Sequence, residues 1–133
     1  ETMSHISLFT LVIDDYDRAI DWFRRALNFD LVKDEPSLTD DGRPKRWVVV
    51  APKGGGCQIL LAQADGPEQT ARIGDQTGGR VGFFLHSDDF AADHARMQAE
   101  GVHFEESPRL EPYGEVVKFH DLWGNRWDLW QQK

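Results

Sequence analysis

Three side chains near the end of the chain are of types that could together bind a small molecule. Arg126, Asp128 and Trp130 alternate along a run of strand-forming residues, so in a strand they point to one face. A carboxylate and a guanidinium can orient a polar group, while an indole ring can cover an aromatic one. The same spacing also permits a structural ion pair between Arg126 and Asp128. The sequence is compatible with both interpretations.

An earlier apolar run supplies two further candidates, Phe84 and His86, which share strand parity. His86 is the one candidate for a general base, although a hydrogen-bonded wall histidine is the simpler interpretation because no carboxylate can be placed beside it. His120, next to Asp121, either faces the pocket or braces a turn. Strand alternation predicts a ligand site on the concave face that holds Phe84, His86, Arg126, Asp128 and Trp130. Trp47, as a candidate aromatic wall, and His120 complete the set of ligand-binding candidates.

The composition favours a single globular domain and excludes several classes of partner. The chain has 133 residues, of which 40% are hydrophobic, and a formal net charge of -8. A nucleic acid would be repelled by that charge. No apolar stretch approaches the roughly 20 residues that span a bilayer, so no membrane association is expected. The only cysteine, Cys57, cannot form an internal disulfide, which predicts a reducing, cytoplasmic location.

The elements that must position these side chains follow from periodicity. Residues 6–13 are rich in strand formers, and Asp14 or Asp15 can cap a helix that begins at Tyr16. Apolar residues at helical spacing extend that helix to Leu27, and Asn28 suits a left-handed end. Three strands are predicted after it, at 29–33, 46–51 and 58–62.

The second half of the chain repeats this order. The helix start Asp14-Asp15-Tyr16 recurs as Asp88-Asp89-Phe90, again after an apolar run. A strand at 80–86, a helix ending near Gly101 and strands at 102–106, 115–120 and 126–131 complete the pattern. The sequence therefore predicts an α+β fold with two βαβββ repeats, at about 4–63 and 79–132, joined by a polar linker at 64–78.

The paired units and the closing stretch Asp121-Leu122-Trp123-Gly124-Asn125-Arg126-Trp127-Asp128-Leu129 resemble the vicinal oxygen chelate superfamily. That superfamily includes glyoxalase I, extradiol dioxygenases and bleomycin-resistance proteins, and the resemblance covers essentially the whole chain. It implies a glyoxalase-like fold in which each unit curls into an incomplete barrel and a cavity lies between the units. It also implies that enzymes of this kind hold a divalent metal with inward-facing strand side chains.

The family's metal-ligand positions are mostly not kept in this sequence. The usual His or Glu of the first strand falls at Leu8, and the usual His of the fifth strand falls at Gly82. The fourth-strand carboxylate would lie within residues 58–61, which contain no acid. Only Asp128 matches a ligand position, the glutamate of the last strand. A metal needs several converging ligands, so no metal and no other cofactor is expected.

Two functional hypotheses follow from the resemblance. The favoured one is a metal-free protein that binds a small, partly aromatic molecule in the cavity between its two βαβββ units. The alternative is a lyase, isomerase or dioxygenase of the glyoxalase type that uses a divalent metal held by substituted ligands such as Asp128. A homodimer is expected, because a four-stranded half leaves an open sheet edge and small members of this fold commonly pair such units between chains.

Overall fold

The computed structural model describes residues 1–133, which form two units, Glu1–Thr70 and Ala71–Lys133. The first unit consists of β1 (Leu8–Ile13), α1 (Tyr16–Leu27), β2 (Asp30–Leu38), β3 (Pro44–Ala51), β4 (Gln58–Gln63) and the short helix α2 (Pro67–Thr70). The second unit consists of β5 (Val81–His86), α3 (Phe90–Ala99), β6 (Arg109–Glu111), β7 (Gly114–His120) and β8 (Arg126–Gln132).

Each unit contains one four-stranded mixed sheet, and the two sheets have the same topology. The strand order is β1-β4-β3-β2 in the first and β5-β8-β7-β6 in the second. In each, the first strand runs parallel to the last, and the remaining pairs are antiparallel. Neither sheet closes into a barrel. The predicted α+β fold with two βαβββ units is confirmed.

Helix α1 begins and ends where the sequence predicts. The Asp15 side chain accepts a hydrogen bond from the Arg18 backbone N–H at 2.8 Å, which satisfies one of the unpaired N–H groups at a helix start. Asn28 ends the helix in the left-handed region, at φ 58°. The apolar side of the helix, with Phe23 fully buried, packs against β2, β3 and β4.

In the second unit, α3 covers one side of the sheet. Asp89 caps the helix by accepting from the Ala92 N–H at 3.2 Å, and Met97 is fully buried. The strand residues on that side, Trp127 and Leu129, are also buried, and α3 packs against β8. Strand alternation then sends residues 126, 128 and 130 to the side opposite the helix.

Two strand predictions differ from the structure. The strand expected at 102–106 is wrong, since this segment makes only an isolated bridge from Phe104 to Phe119, and the edge strand β6 lies at Arg109–Glu111. At Lys118 of β7, the backbone N–H donates to the Glu106 side chain (Oε2, 3.0 Å) and not to a backbone carbonyl of a neighbouring strand. The strand expected at 29–33 continues to Leu38, because it forms a long hairpin with β3.

A buried carboxylate organises the loop before β8. Asp121 is 5% exposed, and its Oδ1 accepts the backbone N–H groups of Trp123, Gly124 and Asn125 at 3.1, 3.0 and 2.9 Å. Its Oδ2 accepts from Asn125 Nδ2 at 2.9 Å and from Trp127 Nε1 at 3.0 Å. Burial raises the pKa of Asp121, and these hydrogen bonds oppose the rise. The closing motif of the sequence is therefore a hydrogen-bonded turn that places β8.

The segment before β5 is fastened to the same loop. The Gln76 backbone N–H donates to Asn125 Oδ1 at 3.1 Å. At Gly74, where φ is +77°, a Cβ atom would lie 2.0 Å from the Trp123 carbonyl oxygen. Only glycine permits so close an approach of the two backbones. Residues in this part of the predicted linker thus belong structurally to the second unit.

Candidate functional site

The candidate site residues of the second unit lie on the side of its sheet opposite α3, which we call the open face. The register of β5 and β8 pairs Phe84 with Asp128 and His86 with Trp130. The register of β7, the other neighbour of β8, pairs Lys118 with Asp128 and His120 with Arg126. Residues in register share a face. The structure therefore brings together six of the seven predicted side chains, which are Phe84, His86, His120, Arg126, Asp128 and Trp130.

Aromatic rings occupy one end of the open face. The Trp130 ring makes edge contacts with His86, at 5.6 Å between ring centroids, and with Tyr113, at 6.2 Å. We call these three residues the aromatic cluster. Tyr113 is 49% exposed, and Phe84, on the same face, is 67% exposed. Tyr113 was not predicted from the sequence, although its place in a tight turn before a strand paired with β8 was a usable signal.

Arg126, at the other end of the face, is engaged by Glu105. Its Nε and one terminal nitrogen donate to the Glu105 carboxylate at 2.7 and 3.0 Å, and its other terminal nitrogen donates to the Gly79 carbonyl at 3.0 Å. His120 Nε2 lies 2.9 Å from Glu105 Oε2. The hydrogen bonds from Arg126, reinforced by His120, hold the pKa of Glu105 at about 2. Glu105 was not singled out from the sequence.

This arrangement decides one of the alternatives that the sequence left open. The structural ion pair between Arg126 and Asp128 is wrong, because the guanidinium is directed to Glu105. His120 contacts the same Glu105 carboxylate and stands in register with Arg126 on the open face. Arg126 and His120 therefore share Glu105 as their partner in the protein.

Asp128 lacks such a partner. Its Oδ1 is buried and makes no hydrogen bond, while the residue as a whole is partly exposed. Burial raises the pKa of its carboxyl, and the positive charges of Lys118 and Arg109 oppose that rise. A buried acceptor without a donor is unusual in a folded protein and calls for an explanation. The other oxygen, Oδ2, also has no partner in the protein, and because the residue is partly exposed it is the atom that a ligand would contact.

The first unit has no acid at the equivalent place. Leu11 of β1 is in register with Leu61, and Leu85 of β5 is in register with Leu129. Leu11 and Leu85 are equivalent positions, because each lies the same number of residues before the aspartate that caps the helix of its unit. Leu60 precedes Leu61 and Asp128 precedes Leu129, so Leu60 is the residue of the first unit that is equivalent to Asp128. The topology that the two units share is therefore compatible with an apolar residue at this point.

Trp47, the seventh predicted residue, lies in the first unit. It is 39% exposed and lines a cleft of about 330 Å³. Leu60 and Ala62 line the same cleft, together with Arg43, whose guanidinium is bonded to Asp65 at 2.7 Å. Within its own unit, Trp47 therefore lies in a partly apolar cleft with a charged rim.

The structure offers no ligand set for a family-type metal. No group of three or more His, Cys, Asp or Glu side chains is placed to hold a metal ion. Gly82 has no side chain to bind a metal, and because a Cβ there would lie 2.4 Å from the Thr77 methyl carbon, a side chain at this position would displace Thr77. At the ligand position of the first strand, Leu8 has no side-chain atom that could bind a metal. The residues present do not fit a metal held as in the family's enzymes.

Comparisons with known proteins agree with this architecture. The model of the Glyoxalase/Bleomycin resistance protein/Dioxygenase superfamily matches residues 2–129. The chain belongs to this superfamily. This confirms the resemblance seen in the sequence. None of the helices of this superfamily member is long and apolar enough to cross a membrane.

Individual superfamily relatives are similar over nearly their whole length. An uncharacterized protein of Shewanella frigidimarina (strain NCIMB 400) is 48% identical over 132 residues, which are 98% of this chain and 93% of that one. The crystal structure of TnmS3, an antibiotic binding protein from Streptomyces sp. CB03234, superposes with a TM-score of 0.77 at 32% identity, covering 100% of this chain and 99% of the other. A glyoxalase/bleomycin resistance protein from the same Streptomyces strain gives a TM-score of 0.71 at 32% identity, covering 95% and 99%.

Proposed function

We propose that this superfamily member binds a small, partly aromatic molecule on the open face of its second sheet, without a metal. The observation that carries the proposal is the aromatic cluster of His86, Tyr113 and Trp130, which stands partly exposed on a sheet face. Contiguous exposed apolar surface with a few polar groups is typical of ligand-binding sites. Planar rings gain both apolar contact and favourable ring–ring geometry on such a surface.

Similarity to an antibiotic binding protein supports this proposal and narrows the class of molecule. TnmS3 is 32% identical over the full chain, so the resemblance extends beyond the fold. We extend antibiotic binding to this protein as a hypothesis: the ligand is a small antibiotic-like molecule with an aromatic part. In this role, Trp130 and Tyr113 would contact the rings of the ligand, and no catalytic residue is required. His86 would serve as part of the wall.

A thermal-shift screen with and without a chelator tests the proposal. The panel should contain antibiotics, small aromatic molecules and aldehyde–glutathione adducts. We expect at least one aromatic compound to raise the melting temperature by about 3–6 °C at ten times its Kd. The same shift is expected in EDTA, because neither Leu8 nor Gly82 can supply a metal ligand. The adducts, which suit the enzymatic alternative, should give no shift.

Metal analysis of the purified protein provides the control. We expect no stoichiometric Zn, Ni, Mn or Fe. A bound metal that is lost when Asp128 is replaced, together with ligand-induced melting-temperature shifts that EDTA abolishes, would contradict the proposal. That result would favour a glyoxalase-type lyase, isomerase or dioxygenase over a metal-free binding protein.

A homodimer is part of the same proposal. Each four-stranded sheet ends in two edge strands, and exposed edges are usually covered in stable proteins. Exposed apolar side chains such as Leu38 and Leu110 add to the surface that needs cover. Light scattering at micromolar concentration is expected to give twice the chain mass of 15.2 kDa. A mass equal to one chain would contradict the prediction.

A further inference from the structure

Building on the function proposed above, we infer that Asp128 makes the site selective for aromatic molecules that carry a hydrogen-bond donor, such as a phenolic hydroxyl or an amine. The carboxylate would accept that donor while the ring lies against Trp130. An otherwise identical molecule without the donor, or with only acceptor atoms, would bind more weakly.

Arg126 is a second charged group on the open face that could hold a polar substituent. Its guanidinium makes two hydrogen bonds to Glu105 and one to the Gly79 carbonyl. To bind an anionic ligand group it would have to give up a bidentate, charge-assisted pair. An acceptor on the ligand therefore gains little from Arg126.

The Asp128 carboxylate has no partner in the protein. Asp128 Oδ1 is buried without a hydrogen bond, and the acidic side chain is partly exposed on the open face. Lys118, its cross-strand neighbour, forms no ion pair with it and acts through a longer-range attraction. Oδ2 has no hydrogen bond either and is not among the buried oxygens, so a donor brought by a ligand would reach the carboxylate at Oδ2. Carboxylates that accept from a ligand are among the stronger hydrogen-bonding groups.

The fold of the sheet does not require an acid at the position of Asp128. The equivalent residue of the first unit is Leu60, on a sheet with the same strand order. Folding of such a sheet does not need a carboxylate at this position, and an unpaired one costs stability. An acid that costs stability and is not needed for the fold points to a role in binding.

Geometry matches the two groups to one molecule. Asp128 and Trp130 are two residues apart on β8, so their side chains leave the sheet roughly 7 Å apart on the same side. That separation suits a fused two-ring system bearing its donor at the far end. The aromatic cluster would hold the ring, and the carboxylate would fix its orientation.

The test compares three naphthalene probes by isothermal titration calorimetry. 2-Naphthol carries a donor, 2-methoxynaphthalene has the same ring and oxygen without the donor, and 2-naphthoate offers acceptors only. We expect the wild-type protein to bind 2-naphthol about tenfold more tightly than 2-methoxynaphthalene, and 2-naphthoate most weakly. In Asp128→Leu, which copies the residue of the first unit, the ratio of the first two affinities should fall to about one.

Two controls make the outcome specific. Glu115→Gln removes an acid from the neighbouring strand on the side that faces α3, so it should leave the tenfold ratio unchanged. Circular dichroism of Asp128→Leu should show a wild-type melting temperature or a higher one. Equal affinities of 2-naphthol and 2-methoxynaphthalene in the wild type, or preferred binding of 2-naphthoate, would overturn the inference while leaving the proposed aromatic site intact. If none of the probes bound, both proposals would be contradicted.

Discussion

Replacing Asp121 by Ala is expected to lower the free energy of unfolding by about 3 kcal/mol or more. The carboxylate is 5% exposed and accepts five hydrogen bonds, three from backbone N–H groups and two from side chains. Its loss would leave the Asn125 N–H, the Asn125 side-chain amide and the Trp127 indole N–H buried without this acceptor. Urea denaturation followed by tryptophan fluorescence and circular dichroism measures the change.

A conservative variant and a matched control refine this prediction. In Asp121→Asn, one oxygen remains for the backbone donors, but the new amide meets the donors of Asn125 and Trp127, so an intermediate loss is expected. Asp88→Asn alters an exposed acid of the same unit and should change stability by less than about 0.5 kcal/mol. If Asp121→Ala unfolded at the wild-type urea midpoint, the loop would not depend on this carboxylate.

Replacing Trp130 by Ala is expected to weaken binding of an aromatic ligand by about 1–3 kcal/mol, which is the range for a buried aromatic anchor. Trp130 is the centre of the aromatic cluster, because its ring contacts both His86 and Tyr113. The variant removes the ring surface and also the contacts that hold the two neighbours. Calorimetric titration with a ligand identified in the screen, or with 2-naphthol, gives the affinity.

The position of Trp130 allows its role in binding to be separated from stability. It lies on the open face and not among the fully buried residues, so the Ala variant should remain folded by circular dichroism. Trp130→Phe should keep most of the affinity, since a ring remains. Leu110→Ala, which removes an exposed apolar side chain on the same sheet, serves as the matched control. Unchanged affinity in Trp130→Ala would place the ligand elsewhere.

Most of the fold could be predicted because its signals are local. The repeated Asp-Asp-aromatic start identifies both helices, and Asp15 and Asp89 cap them as expected. The edge strand β6 could not be placed, because residues 102–106 have strand-like composition yet pair at only one bridge. There, the carboxylate of Glu106 takes up a backbone donor of β7, and side-chain pairing of this kind leaves no periodic signal.

The candidate site was predictable in its face but not in its partners. Alternation alone placed Arg126, Asp128 and Trp130 on one side of β8, as observed. The partner of Arg126 is Glu105, which lies 21 residues earlier in the sequence. Tyr113 reaches Trp130 through the turn before β7. Contacts between segments that are distant along the chain follow from register and loop geometry, which the sequence pattern does not specify.

The attachment of residues 74–76 to the loop before β8 has a consequence for how far the two βαβββ units are interchangeable modules. Asn125 Oδ1 is satisfied by the backbone of Gln76, a residue that precedes the first strand of its unit. The corresponding connection in the first unit, between β3 and β4, is a glycine-rich turn closed by a bond from the Gly55 N–H to the Pro52 carbonyl. A second copy of the first unit could therefore not simply replace the second. An exchange of units would have to transfer the segment before β5 together with the loop before β8, because each supplies the contacts of the other.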